Sequence, residues 1–403
     1  MAVFRTLLTL VVLVVTYGGL GLGKWPGLGL NRPTIALVGA AAVVAVGGMT
    51  VSEAWQAMDA RTMVFLFSMM VVNGGLSEAG VLAGLLRGLV RHSRHPLGLL
   101  LVVTVGTGIL SAFLLNDTLA LVATPLIVQA TQALGLNPVP YLLALAGATN
   151  VGSVATLSGN PQNILVGSLA GIGYAGFAQV MTPVAVMGLV ILVGLVWLLY
   201  PEVRSRQRFP AIVLSQEPRQ PPGFWFHGLI TLGLLLGFAV GVPLAEAALV
   251  TAAVSLLGQR RHPERWLTQV DWGLLVLFGG LFILTQTIQN LGMLQPLTAM
   301  VSHPWELTGW VAVFSNLLSN VPTVLLLHGL IPPEDTQSWL LLAASSTLAG
   351  NLTLFGAVAN LITVEAAERA GYRVSFGTHL RLGVPLTGLT LGVAYFWIRG
   401  QWS

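Results

Sequence analysis

The chain is a succession of apolar runs of about 17 to 25 residues, the length an α-helix needs to cross the hydrocarbon of a bilayer. Such runs lie near 4–22, 33–50, 62–84, 178–200, 224–241, 243–257, 271–291 and 379–399, and each predicts a helix. The first carries Arg5 at its head, as a secretory signal does. It runs long, lacks a small-residue cleavage site and is followed by further spans, so it reads as a mature helix.

Two zones break the pattern. Between Leu97 and Ile172, and again between Trp305 and Arg369, Asn, Asp, Ser, Thr, Gly and Pro interrupt the apolar sequence where a lipid-facing helix could not carry them. Irregular backbone at membrane depth requires cover by protein or a water-filled cavity, so these zones are where function is expected.

The zones resemble each other. Thr156, Leu157, Gly159 and Asn163 recur as Thr353, Leu354, Gly356 and Asn360 at a constant offset of 197. Upstream of each octet sits a second break, Leu114 to Thr118 and Leu317 to Val321, aligned at an offset of 203. The charges reverse between halves. Arg87, Arg91 and Arg94 follow the third run of the first half, with no counterpart after Leu291 before Arg369, whereas Arg260, Arg261 and Arg265 answer Arg61 alone in the preceding linkers. Cytoplasmic loops collect Lys and Arg, so the halves are inverted. With three spans, a re-entrant hairpin (about 97–135 and 305–331), a broken span (about 140–172 and 338–369) and a closing span per half, five crossings turn the second half over. Termini outside then leave 15 of the 18 Lys and Arg on the inner side.

The expected fold is therefore an all-α polytopic membrane protein of two inverted repeats, with about ten transmembrane spans, two re-entrant hairpins and two broken helices. The repeats are assigned to 1–200 and 223–403, joined by a cytoplasmic linker at 201–222. That Arg- and Pro-rich linker reads as a solvated connector, with a dock for a soluble ATPase as the alternative.

Composition agrees with the pattern. Hydrophobic residues make up 55% and charged residues 8% of 403, with mean hydropathy +0.83, whereas soluble domains carry about a quarter charged residues. A soluble enzyme, a nucleic-acid binder and a disordered scaffold are excluded. The absence of cysteine removes disulfides, thiolate metal sites and cysteine catalysis. No carboxylate pair, HExxH, Walker loop or nucleophile elbow is present, so neither enzyme chemistry nor a cofactor or metal is expected.

Inverted repeats with discontinuous helices place a solute site near the midplane, where half-helix ends and freed backbone groups meet. The candidates are Asn116, Thr118, Ser158, Gly159, Asn160 and Asn163 from one half, with Ser319, Asn320, Thr323, Gly356 and Asn360 from the other. Asn150, Ser153, Thr156, Asn351 and Thr353 lie in the same segments. A scattered Ser or Thr otherwise bonds a carbonyl of its own helix. Asp117 is the one acid within a break. A carboxyl at membrane depth is costly and by default marks a proton or ion path, which makes it the coupling candidate; the alternative is a cap on backbone N–H groups at its own hairpin tip. Glu78, Glu246, His227 and His328 lie near span ends and are expected at the interface. No Arg or Lys falls in either break, so a bound anion would need helix N-termini or co-bound cations, whereas a neutral polyol-like solute would need neither.

Asn116-Asp117-Thr118 with Thr124-Pro125, the run Gly159 to Asn163, and Ser319-Asn320-Val321-Pro322-Thr323 resemble the ion transporter superfamily, in particular its arsenite permease (ArsB) and citrate-transporter-like members. The resemblance implies an elevator-type secondary transporter, with a scaffold (1–96 and 223–304) and a mobile transport unit (97–200 and 305–403), in a bacterial inner membrane and as a homodimer. The Ser-Asn-Thr tips of sodium/dicarboxylate carriers are absent, and Asn-Asp at the first tip and Asn-x-Pro-Thr at the second are similar to arsenite permeases. Arsenous and antimonous acids are neutral trihydroxy species, so amides, hydroxyls and one proton-exchanging carboxyl would suffice for proton-driven export. The alternatives are a sodium- or proton-coupled dicarboxylate or oxyanion carrier and a sodium/proton antiporter.

Overall fold

The computed structural model describes residues 2–402 apart from 24, 26, 92, 206, 210–222, 259–266, 295–300 and 302. Lys24, Arg206, Arg219, Arg260, Arg261, Arg265 and most of the expected linker lie outside the described residues. Eighteen α-helices and no β-strand are found among the rest.

In the first half these are α1 (Ala2–Leu22), α2 (Arg32–Ala45), α3 (Val51–Ala57), α4 (Ala60–Glu78), α5 (Val81–Arg91), α6 (Pro96–Phe113), α7 (Asn116–Ala133), α8 (Val139–Ser153), α9 (Pro161–Ala170) and α10 (Tyr174–Leu199). In the second they are α11 (Phe224–Ala239), α12 (Leu244–Gly258), α13 (Trp272–Asn290), α14 (Pro304–Leu318), α15 (Asn320–Leu327), α16 (Thr336–Leu348), α17 (Val358–Arg369) and α18 (Phe376–Gly400). Six of them, α1, α4, α6, α10, α13 and α18, are long and apolar enough to cross a membrane, and four shorter apolar helices accompany them. Val11, Val190, Leu232 and Val250 project outward and exposed, as lipid-facing side chains do.

Two expected spans end earlier than their apolar runs. The 33–50 run stops at Ala45 because Gly47 adopts φ +77°; Thr50 then caps α3, accepting from the Glu53 N–H while the Glu53 carboxylate accepts from the Thr50 N–H. The 62–84 run stops at Glu78, where Gly80 at φ +66° lets the chain turn into the amphipathic α5.

The element series recurs. A 3-10 turn at Leu157–Gly159 precedes α9, and its counterpart Leu354–Gly356 precedes α17, 197 positions on. Asp59 caps α4 by accepting from Thr62 N–H, and Asp271 caps α13 by accepting from Leu274 N–H. Pro183 lies inside α10 and Pro385 inside α18. The hairpin breaks register differently from the sequence alignment: helices restart at Asn116 and Asn320, an offset of 204, so Asn116 answers Asn320 and Asp117 answers Val321.

Packing is reciprocal between halves. α2 packs on α13 as α12 packs on α4; α7 packs on α17 as α15 packs on α9; and α10 packs against its own counterpart α18. Such exchange of partners is what a two-fold relation produces. Close approach depends on glycine at Gly280 of α13, where an added Cβ would lie 2.7 Å from the Ala36 carbonyl carbon of α2. Gly280→Ala therefore pushes the two helices apart and should destabilise by about 1–3 kcal/mol. Gly233→Ala on α11 meets nothing within 4 Å and should change stability by less than about 1 kcal/mol. Thermal unfolding in detergent micelles distinguishes them; equal midpoints would show that the α2–α13 contact is not tight.

Candidate functional site

Where a helix stops inside a membrane, its orphaned carbonyls must find donors, and each left bare costs several kcal/mol. The two unwound stretches solve this with one side chain used twice. Asn163 Nδ2 donates to the carbonyls of Ser153 (3.0 Å) and Thr156 (2.9 Å). Asn360 Nδ2 donates to those of Gly350 (2.8 Å) and Thr353 (3.1 Å), each partner displaced by 197. The turns are tight enough to require Gly159, where a Cβ would strike the Ser153 carbonyl, and Gly356, where it would lie 2.8 Å from the Gly350 carbonyl oxygen.

The same asparagines join the halves. Asn360 Oδ1 accepts from Asn150 Nδ2 (3.1 Å), and Asn163 Oδ1 accepts from Thr347 Oγ1 (3.4 Å); Asn150 and Thr347 are again 197 apart. Asn150 Nδ2 also reaches Asn351 Oδ1, and its own Oδ1 accepts from Asn116 Nδ2. Asn160 accepts from the Asn163 N–H as the cap of α9 and donates to Ser153 and Thr347.

Above this floor lies a cavity of about 190 Å³ between hairpin tips, unwound stretches and α2 and α13. Asn116, Asp117, Ser319 and Asn320 line it, as the breaks suggested, together with Gln162, Arg32 and Asp271. Asn320, with its amide turned to satisfy both ends, donates to the carbonyls of Ser346 and Gly356 and accepts from Gln162 Nε2. Ser319 has φ 89°, a conformation that side-chain-bearing residues rarely adopt and that costs of order 1–3 kcal/mol. It is the one non-glycine residue with positive φ among those described. Strain of this kind is found where a ligand is held.

Asp117 reaches across the halves rather than capping its own tip. The Ala357 side chain at the head of α17 provides no cap, unlike Asn160 at the head of α9, and the Asp117 carboxylate lies near the Ala359 N–H of that helix. A helix N-terminus stabilises such a negative charge.

Other candidates lie behind the cavity. Asn160, Asn163 and Asn360 are buried in the floor. Ser158 Oγ contacts Tyr174 Oη (3.0 Å) and Thr156 Oγ1, and Thr156 bonds the Ala112 carbonyl. Thr323 Oγ1 donates to Ser319 in its own helix, and Thr118 is half-buried and does not line the cavity. Glu246 is exposed and Glu78 is held by Gln269 Nε2, as expected at span ends. The histidines differ from expectation: His227 is buried in α11, and half-buried His328 lies between the Leu325 carbonyl and Gln289. His379, which carries no motif, is buried against the Asn351 carbonyl. Arg32 and Asp271 escaped sequence reasoning because they sit at the heads of ordinary spans, outside both breaks, where an Asp is a common helix cap and marks no site.

The sequence matches the citrate transporter family (CitMHS) over residues 11–338. It is 29% identical to the silicon efflux transporter LSI3 of Oryza sativa subsp. japonica, over 90% of this chain and 91% of that one. It is also 29% identical to the inner membrane protein YbiR of Escherichia coli (strain K12), over 78% and 82%. In fold it is similar to the crystal structure of the Alcanivorax borkumensis YdaH transporter, with TM-score 0.59 and 18% identity over 99% of this chain and 98% of that one. The chain belongs to the CitMHS citrate transporter family: it is a multi-pass membrane protein and a secondary transporter, not an enzyme.

Proposed function

We propose that the chain exports arsenite or antimonite across a bacterial inner membrane in exchange for protons, by elevator-type alternating access. The observation that carries this reading is a small cavity lined by amides of both halves and bearing Asp117 on one wall. A neutral trihydroxy acid donates its hydroxyls to the Asp117 carboxylate and the Gln162 side-chain oxygen and accepts from the second N–H of Asn116, while Asn320, whose N–H groups are both engaged, holds Gln162 in place. Protonating Asp117 removes its charge and turns one of its acceptors into a donor, so proton and solute compete for the carboxyl. Mutual exclusion at one mobile site is the condition for exchange, because the coupling is reciprocal. Silicon efflux in the LSI3 relative is in keeping with a hydroxylated neutral cargo.

The packing supports two bodies. α2, α4, α12 and α13 pack on one another as the scaffold (1–96 and 223–304), while α7, α9, α15 and α17 interleave as the transport unit (97–200 and 305–403). Homodimerisation belongs to the scaffold, and any soluble ATPase to the linker at 201–222.

A second reading rests on Arg32. A guanidinium at the cavity gives an anion a partner that neither break supplies, which favours a dicarboxylate or oxyanion carrier, coupled to sodium or protons, and accords with the family's description.

Two measurements decide. In everted vesicles, Asp117→Asn should reduce proton-driven arsenite uptake to the level of empty vesicles while arsenite still binds; undiminished uptake removes the coupling role. A flux screen with arsenite, antimonite, citrate, succinate and sulfate should give sodium-independent arsenite transport, and Arg32→Gln should depress any citrate or sulfate flux more than arsenite flux. Sodium-dependent citrate uptake, lost in Arg32→Gln, would establish the second reading instead.

A further inference from the structure

The short helix α5 (Val81–Arg91) carries three stripes, each at i, i+4 spacing and so each on its own face. Leu82, Leu86 and Val90 are buried, Leu85 and Leu89 are exposed, and Arg87 and Arg91 form the third. At about 100° per residue, the exposed leucines and the arginines fall on opposite sides of the buried stripe. A helix with one apolar and one cationic edge lies along a membrane surface, its leucines in hydrocarbon and its guanidinium groups among the headgroups.

The cationic edge extends past the helix. Arg94 is exposed, and its carbonyl accepts from the Phe209 N–H (2.8 Å), which brings the backbone of exposed Arg208 beside it. Carboxylates are scarce there. Between Glu78 and Glu202 the only acid is Asp117, which lines the solute cavity, while Glu78 accepts from Gln269 and Glu202 from Asn137 Nδ2. A guanidinium meets a phosphate with two parallel N–H donors.

The leucine edge continues as well. A narrow crevice runs between α5, α6 and α7, walled by Leu86, Leu89, Val90, Val103, Leu126 and Ile127. Its one polar lining residue, Thr107, donates to the Val103 carbonyl within α6, so the crevice is apolar throughout. Leu89 lies against Gly106 of α6, where an added Cβ would come 2.8 Å from its Cδ1. Leu101, Val105 and Ile109, exposed and again at i, i+4, carry the apolar surface on along α6.

We propose that α5 is a binding site for an anionic phospholipid, its phosphate held by Arg87 and Arg91 and an acyl chain laid along Leu85, Leu89 and the crevice. α5 packs on α4 and α11 on one side and on α6 and α7 on the other, so the lipid lies where the scaffold meets the transport unit. The site stands apart from the solute cavity and holds whichever solute is carried.

Native mass spectrometry of the full-length protein in detergent tests this, with phosphatidylglycerol and phosphatidylcholine of identical acyl chains added in equal amounts. The wild type should retain phosphatidylglycerol over phosphatidylcholine by at least about fivefold, the preference that one surface arginine confers. A ratio near one would overturn the proposal without recourse to any variant. Arg87→Gln with Arg91→Gln should bring the ratio close to one, whereas Arg87→Lys with Arg91→Lys, which keeps the charge, should retain most of it. If the glutamine pair does not fold, the single Arg87→Gln decides, with a fall of at least about twofold expected; an unchanged ratio overturns the site. Arg369→Gln with Arg373→Gln removes the same charge from another exposed stretch and should keep the full preference. A loss there equal to that of the α5 pair would mean diffuse attraction to basic loops and no site. Inorganic phosphate at the concentration of the lipid should leave the bound lipid in place, and displacement by it would show an anion site in which acyl chains have no part.

Discussion

Everything in this molecule depends on keeping uncoiled backbone dry and satisfied within the bilayer. The unwound stretches at 154–160 and 351–357 expose carbonyls that lipid cannot pair. One asparagine in each half, Asn163 and Asn360, holds two of them at once, and its remaining oxygen is held from the other half. The junction between repeats is thus made by the groups that make the unwinding tolerable, so the breaks cannot persist in one half without the other.

That arrangement separates residues that hold the floor from residues that face the cavity. The floor is closed to solute, being buried and bonded within itself except at Asn351 Nδ2, which has no acceptor among the described residues. The cavity wall has amides with groups left to offer, a strained serine, and charges of both signs: Arg32 and Asp271 at the heads of the packed helices α2 and α13, and Asp117 at the hairpin tip. Strain at Ser319 is affordable only because α14 and α15 are fixed on either side of it.

Much of this was legible in the sequence. Apolar length gave the spans to within a few residues, and the constant offset of 197 identified the paired turns, whose hydrogen bonds recur at the same offset. The charge reversal could be read because the bilayer imposes one sign rule on both halves. What escaped was set by tertiary neighbours. Glycines 47 and 80 ended two helices inside apolar runs, since hydropathy does not register a left-handed turn. Arg32 and Asp271 reach the cavity only because α2 and α13 pack closely at Gly280, a contact that no local pattern announces. Ser158 looked like a ligand group and instead serves Tyr174, because both unwound and regular backbone leave hydroxyls equally polar in a sequence string.

The heads of α9 and α17 differ in one respect that the duplication alone would not produce. Asn160 closes the first from within, whereas the second borrows Asp117 from its twin, and the residue mirroring Asp117 is the hydrocarbon side chain of Val321. A site of true dyad symmetry offers a small, near-symmetrical guest two equal orientations. With Asp117 unmatched across the dyad that degeneracy vanishes, and a guest that engages this carboxyl has a single direction in which to lie.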